Sequence, residues 1–315
     1  MQSILLAAAR LVNGWNYNAT VCVRAGMTFP QASPAGVPRW LLLLFALLLC
    51  GTGITPAQTV PANVVLRDPA PKTALTKWVS NGTSEPIALN LDGGTMRGWS
   101  FPAVRPNPDM PTLLFFYGSA TILHDEPIFA AIAREGANVI VFDYRGYGFS
   151  SGTADVMHFR KDALAEYDYA AKRAGGPVVV YGYSLGTTMA TYVASKRPVA
   201  GIILAGAIAS AVEEFPVFLK AQGPAATDAS RVPSDEAVEA FDGVGMVKNA
   251  TAPLLVLHGE ADEVVSIKQG REVFESSAAG EKRFMALQGI GHFDIISNDQ
   301  AQTAVAEFLH RLTGD

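Results

Sequence analysis

Short apolar runs separated by longer amphipathic stretches organise most of the chain. Ile87–Leu91 and Thr95–Phe101 flank Asp92-Gly93-Gly94, a spacing that predicts a β-hairpin. Beyond it come the runs Thr112–Tyr117, Asn138–Asp143, Val178–Tyr181, Gly201–Ala205, Leu254–His258 and Arg283–Leu287. They are near-continuous in apolar residues instead of alternating, as expected of parallel strands covered on both faces. Between them, apolar residues recur every three or four positions. Phe159, Ala163, Tyr167 and Ala170 make one helical stripe, stopped by Gly175-Gly176-Pro177. Leu185, Met189, Tyr192 and Val193 make a second, and Val305, Phe308, Leu309 and Leu312 a third. The alternation predicts an α/β fold with a doubly wound, mostly parallel sheet. Sites in such sheets gather at the carboxyl ends of the strands.

One stretch breaks this rhythm. Residues 207–250 separate two strands by more than one crossover helix requires, and they carry Phe215 and Phe218 among Pro216, Pro224 and Pro233. Following a strand's carboxyl end, they are expected to form a small helical lid over the site.

The N-terminal pattern is different again. Arg39 precedes an unbroken apolar run, Trp40–Cys50, followed by Gly51–Gly53 and then Thr55-Pro56-Ala57. That order reads as an export signal cleaved near Ala57, and Met27 as an alternative start. The run has 11 residues, short of the roughly 20 that a membrane-spanning helix needs. A lipid anchor on Cys50, or retention of the uncleaved segment in the membrane, are the alternatives to a periplasmic or extracellular protein. The chain thus divides into a targeting segment (1–57), a Pro-rich leader (58–84) and a main domain (85–315).

Charge and cysteine content narrow the partners. Residues 1–57 hold three arginines and no other charged residue, so all 29 acidic side chains lie in the body. An acidic body argues against nucleic acid and anionic membranes as partners. Cys22 and Cys50 are the only cysteines, so the body can hold neither a disulfide nor a thiolate metal site.

Gly182-Tyr183-Ser184-Leu185-Gly186 is a G-x-S-x-G between a strand and a helix. That context describes a sharp turn that lifts a serine hydroxyl above the sheet. Gly148-Phe149-Ser150-Ser151-Gly152 matches the same pattern but follows a loop, so Ser184 is the expected nucleophile. A serine needs a base, and the base an orienting acid, later in the chain. Of five histidines, His124 and His158 precede Ser184, His258 ends an apolar strand and His310 lies in the last helix. His292, between Gly291 and Phe293 just after the final strand, is the expected base. Asp262, in the turn after Leu254–His258, is the favoured acid, with Glu260 and Glu263 as alternatives. The oxyanion donors are expected to be the backbone N–H groups of Leu185 and Ser119. Tyr117, Tyr183, Phe215 and Phe218 are candidates for the substrate pocket. No metal or organic cofactor is implied.

As an ordered set, four segments resemble the α/β-hydrolase superfamily, in its serine aminopeptidase-like branch, also called BEM46-like. They are Phe142–Gly148 with Ser150 and Gly152, the turn Gly182–Gly186, Leu257–Val265, and Gly291–Asp294. The resemblance spans about residues 85–312 and carries over Ser184, Asp262 and His292 as a catalytic triad. It departs from the family at Tyr117-Gly118-Ser119, where His-Gly-Asn or His-Gly-Gly is usual, which puts the oxyanion loop in question. It implies an esterase or thioesterase acting on small acyl substrates, with a peptidase or amidase, or a silent binding protein, as alternatives.

Overall fold

The apolar runs form strands because their β-branched side chains, such as Val139–Val141, Val178–Val180 and Ile202–Ile203, are buried on a pleated surface packed from both sides. The computed structural model describes residues 58–60, 84–104, 110–119, 126–221 and 231–313. At 58–60, 126, 156–157, 218–221 and 231–233 it describes the backbone alone. The targeting segment 1–57 therefore lies outside the described residues, as does the leader between 61 and 83.

The hairpin is β2 (Glu85–Leu91) and β3 (Gly94–Phe101), which follow a short strand β1 (Gln58–Val60). Then come β4 (Thr112–Phe116), α1 (Glu126–Arg134), β5 (Asn138–Phe142), α2 (Val156–Arg173), β6 (Val178–Tyr183), α3 (Gly186–Lys196) and β7 (Gly201–Ala205). The insertion supplies α4 (Ala211–Ala221), β8 (Arg231–Pro233), α5 (Asp235–Ala240) and α6 (Gly243–Val247). The chain ends with β9 (Leu254–Gly259), α7 (Ile267–Ser276), β10 (Lys282–Leu287), a 3-10 turn (His292–Asp294) and α8 (Asp299–Thr313).

Eight strands form one sheet in the order β10-β9-β7-β6-β4-β5-β3-β2. Neighbours from β10 to β5 are parallel, while β3 runs antiparallel to both β5 and β2. β4 sits between β5 and β6, its Leu114 level with Ile140 on one side and Val180 on the other. The chain thus changes direction across the sheet at β4, which leaves a crevice beyond the carboxyl ends of β4 and β6.

Two apolar layers sandwich the sheet. Leu114 and Phe116 share one with Phe159 of α2 and with Met189 and Val193 of α3. Leu113 and Phe115 share the other with Phe129 of α1 and Val305 and Phe308 of α8. Burial on both faces is the reason the strands read as continuous apolar runs. Each run becomes a strand within two residues of its expected ends. β1 and β8 were not anticipated. They pair in parallel, Gln58 opposite Arg231, so the first residues of the leader run alongside the insertion. Among the described residues, no helix is long and apolar enough to cross a membrane.

Candidate active site

Strand β6 gives way to helix α3 across Ser184 and Leu185. Ser184 has φ 53°, the one positive value at a non-glycine among the described residues. A left-handed serine is strained, and such strain persists only where the surroundings enforce it. Here the Ser184 N–H donates to Ala205 O at 2.9 Å, while Thr187 N–H and Oγ1 both donate to Ser184 O at 2.9 and 2.6 Å. The flanking glycines are required by space. A Cβ on Gly186 would lie 2.0 Å from Phe116 O, and one on Gly182 would lie 2.5 Å from Gly186 O.

His292 opens the 3-10 turn after β10 and reaches back across the sheet. Its Nε2 is 2.9 Å from Ser184 Oγ and its Nδ1 is 2.7 Å from Asp262 Oδ2. The Asp262 side chain is fully buried. Its Oδ1 accepts from the N–H groups of Val264 and Val265 at 2.9 and 2.8 Å, so the turn itself fixes the carboxylate. Glu260 and Glu263 point to solvent in the same turn. The structure therefore brings together Ser184, His292 and Asp262, and leaves both glutamates out.

The remaining histidines fall elsewhere. His258 is buried, with Nε2 2.9 Å from Val265 O and 3.5 Å from Asp262 Oδ2. Burial holds its ring below the ordinary imidazole range, which keeps it neutral. His158 and His310 are exposed, and His124 lies outside the described residues.

The second G-x-S-x-G is structural. Ser150 is fully buried, and its Oγ donates to Asp143 O at 2.6 Å and accepts from Arg97 N–H at 2.8 Å. That serine ties the loop after β5 to the hairpin and has no free hydroxyl to offer.

Two of the residues expected to line a pocket pack beside the His292 ring. Tyr183 stacks on the His292 imidazole with ring centroids 5.3 Å apart, and its hydroxyl donates to His292 O at 3.1 Å. Tyr117 packs edge-on against Tyr183 at 5.7 Å. Phe215 is buried in the same apolar cluster as Ala237 and Phe241, which roots α4 to the body. Phe218 lies on α4 by its backbone, and its side chain is outside the described set.

The loop after β4 abuts Ser184: a Cβ on Gly118 would be 3.4 Å from Ser184 Cβ. Although the usual family side chains are missing here, Tyr144 Oη donates to Tyr117 O at 2.6 Å and holds the loop by its backbone. Ser119 follows, half-buried. Leu185 stands at the start of α3, where amide groups have no acceptor inside the helix and favour negative charge. Among the described residues, no group of three or more His, Cys, Asp or Glu is placed to hold a metal ion.

Sequence reasoning missed the contacts of three buried polar side chains. Tyr144 was seen only as part of a motif. Glu214 and Gln269, buried and hydrogen-bonded to each other, gave no periodic or motif signal, because adjacent acids in a helix's first turn ordinarily face water.

Comparison with known proteins agrees with this architecture. Residues 111–231 match a family model described as the alpha/beta hydrolase fold. Alpha/beta hydrolase domain-containing protein 17C of mouse is 28% identical over 207 residues, covering 64% of this chain and 58% of the mouse protein. The human 17B protein is 28% identical over 213 residues, covering 65% of this chain and 69% of that protein. The chain thus spans somewhat under two thirds of the length of the mouse relative. Among solved structures, an esterase of Pyrococcus furiosus superposes with a TM-score of 0.60 at 17% identity, covering 79% of this chain and 98% of that one. A cold-adapted esterase from an Arctic intertidal metagenomic library gives 0.53 at 18%, covering 72% and 93%. With its sheet order, its strained serine turn and the matched segment, this chain has the alpha/beta hydrolase fold.

Proposed function

We propose that this protein is a serine hydrolase that cleaves carboxylic esters or thioesters through an acyl-serine intermediate. One observation carries the reading: an unbroken hydrogen-bond chain from Ser184 Oγ through His292 to buried Asp262, at 2.9 and 2.7 Å, on a strained turn. In this reading Ser184 Oγ attacks the acyl carbon while His292 Nε2 takes its proton. Asp262 holds the ring in the tautomer with Nδ1–H and stabilises the imidazolium. The N–H groups of Leu185 and Ser119 meet the oxyanion. The imidazolium then returns its proton to the leaving alcohol or thiol. Water repeats the sequence on the acyl-enzyme, which releases the acid and restores Ser184. The esterase structures that share the fold support the substrate class.

A fluorophosphonate probe should label the wild type and not Ser184→Ala. A series of p-nitrophenyl esters, run beside aminoacyl amides, should show turnover of the esters and little of the amides. kcat/KM is expected to peak near butyrate or hexanoate. Absence of labelling would sink the hydrolase reading, and faster amide turnover would move it to an amidase. The N-terminal pattern supports a further proposal of export, with a mature terminus near Gln58, which mass spectrometry of the purified protein would test.

A further inference from the structure

Of residues 288–294, which run between buried Leu287 and buried Ile295, only His292 is buried. Phe293 beside it is 67% exposed, so its neighbour's burial does not anchor this turn. What holds the turn acts on His292 itself. Asp262 holds the ring at Nδ1 from 2.7 Å. A ring held at one atom can still tilt about that bond. Tyr183, buried at the end of β6, restrains the tilt: its ring lies 28° from the imidazole plane with centroids 5.3 Å apart. Its Oη also donates to His292 O at 3.1 Å. One side chain thus holds both the face of the ring and the backbone that carries it.

Tyr183 is itself fixed. In the sheet it stands opposite Ala205 of β7, and the N–H of Ser184, the next residue, donates to Ala205 O at 2.9 Å. Tyr117 packs edge-on against the Tyr183 ring at 5.7 Å, and a Cβ on Gly118 would be 3.4 Å from its Cδ1 and Cε1. Backbone crowds the imidazole as well: a Cβ on Gly206, just after β7, would lie 3.1 Å from His292 Cε1. Tyr183 and Ser184 are consecutive, so the peptide that carries the serine hydroxyl also carries the group that sets the imidazole. The 2.9 Å between Ser184 Oγ and His292 Nε2 is then fixed across one peptide bond, not across the 108 positions that separate the two residues in the chain.

We infer that Tyr183 is a positioning residue that registers His292 against Ser184, its hydroxyl fixing the turn and its ring fixing the tilt of the imidazole. The inference rests on the hydrolase reading for its kinetic consequence. Proton transfer from Ser184 Oγ to His292 Nε2 needs the two groups aligned as the acyl carbon is attacked. A loosened imidazole therefore costs turnover and leaves ground-state binding of the ester alone. Packing by itself would change stability and leave the kcat of the folded protein intact. Tyr183 moves no proton of its own.

The test uses the full chain with Tyr183→Phe, which keeps the ring and removes the hydroxyl, and with Tyr183→Leu, which removes both. Kinetics on p-nitrophenyl butyrate are measured at a temperature where calorimetry shows each variant folded. Tyr183→Phe should lower kcat about 3- to 10-fold, as expected for one lost hydrogen bond. Tyr183→Leu should lower it about 100-fold. KM should stay within about twofold of wild type in both. In parallel, the proton on His292 Nδ1 is followed by NMR, which needs no turnover. It is the downfield signal lost in His292→Gln, which separates it from that of His258, whose Nε2 is 2.9 Å from Val265 O. The signal should broaden in Tyr183→Phe and vanish in Tyr183→Leu. Should Tyr183→Leu fail to fold, Tyr183→Phe carries the same test. An unchanged kcat in the folded variants would overturn the proposal, as would a raised KM at constant kcat, which marks a substrate contact. A wild type that neither turns over esters nor takes the fluorophosphonate would sink the hydrolase reading alone. The NMR arm then decides the positioning: a lost signal supports it, and a persistent one overturns it.

Discussion

Replacing Glu214 by glutamine should stabilise the protein by an amount that grows with pH. In the folded chain the carboxyl ionises at about 7, chiefly because burial penalises its charged form; unfolded, it returns to 4.5. Between those values the native state holds a proton that the unfolded state has released. The stability allowed by the neutral carboxyl is therefore whole below the unfolded value and is lost as pH rises through the folded one. A gap of about 2.5 units, at 1.36 kcal/mol each, places the loss at roughly 3 kcal/mol by pH 8.5. Glutamine has the same shape and nothing to ionise. Other buried groups also titrate. His258 works in the opposite sense: its depressed ionisation means that stability falls as pH drops below the ordinary imidazole range. The informative quantity is thus the difference between wild type and variant, which cancels every group they share. Urea unfolding at about pH 5 and 8.5 measures it. The variant should be ahead by about 1 kcal/mol at the lower pH and by about 3 kcal/mol at the higher. A constant offset at both values would refute the buried-charge argument.

Five substitutions test the rest of the site. Ser150→Ala should keep the probe labelling proposed for Ser184 yet cost about 1–3 kcal/mol in urea unfolding, because the Arg97 N–H and Asp143 O lose a buried partner; loss of probe labelling in this variant would reverse the assignment of the two serine motifs. Asp262→Asn should lower kcat by orders of magnitude at unchanged stability rank, while Glu260→Gln and Glu263→Gln stay near wild type; a larger effect from either glutamate would relocate the acid. Gly186→Ala gains about 1 kcal/mol of helix propensity, but its methyl would sit 2.0 Å from Phe116 O, a backbone atom that cannot swing aside. The collision should win, and calorimetry should show a lower Tm together with lost labelling.

Much of this protein was legible from local pattern. Continuous apolar runs named the six parallel strands of the large sheet, because burial on both faces removes the polar alternation that would otherwise mark a surface. The glycines of the Ser184 turn were legible because only a missing Cβ fits beside Phe116 O. Chain order pointed to His292 and to the acidic turn at 260–263. What the pattern left open were choices made between segments far apart in sequence. Asp262 is separated from Glu260 and Glu263 by the hydrogen bonds of Val264 and Val265 and by a histidine 30 positions later. The stacking of Tyr183 on His292 becomes visible only when β6 and the loop after β10 are seen side by side. Ser150 and Ser184 share one motif and differ in whether a neighbouring strand consumes the hydroxyl. Glu214 is the clearest case: in the sequence it is the second of two adjacent acids, and it becomes a buried carboxyl only where Gln269 of α7 meets it at 2.7 Å. Local sequence reports the periodicity of burial, whereas the partner of a buried polar atom depends on which elements the sheet order brings together.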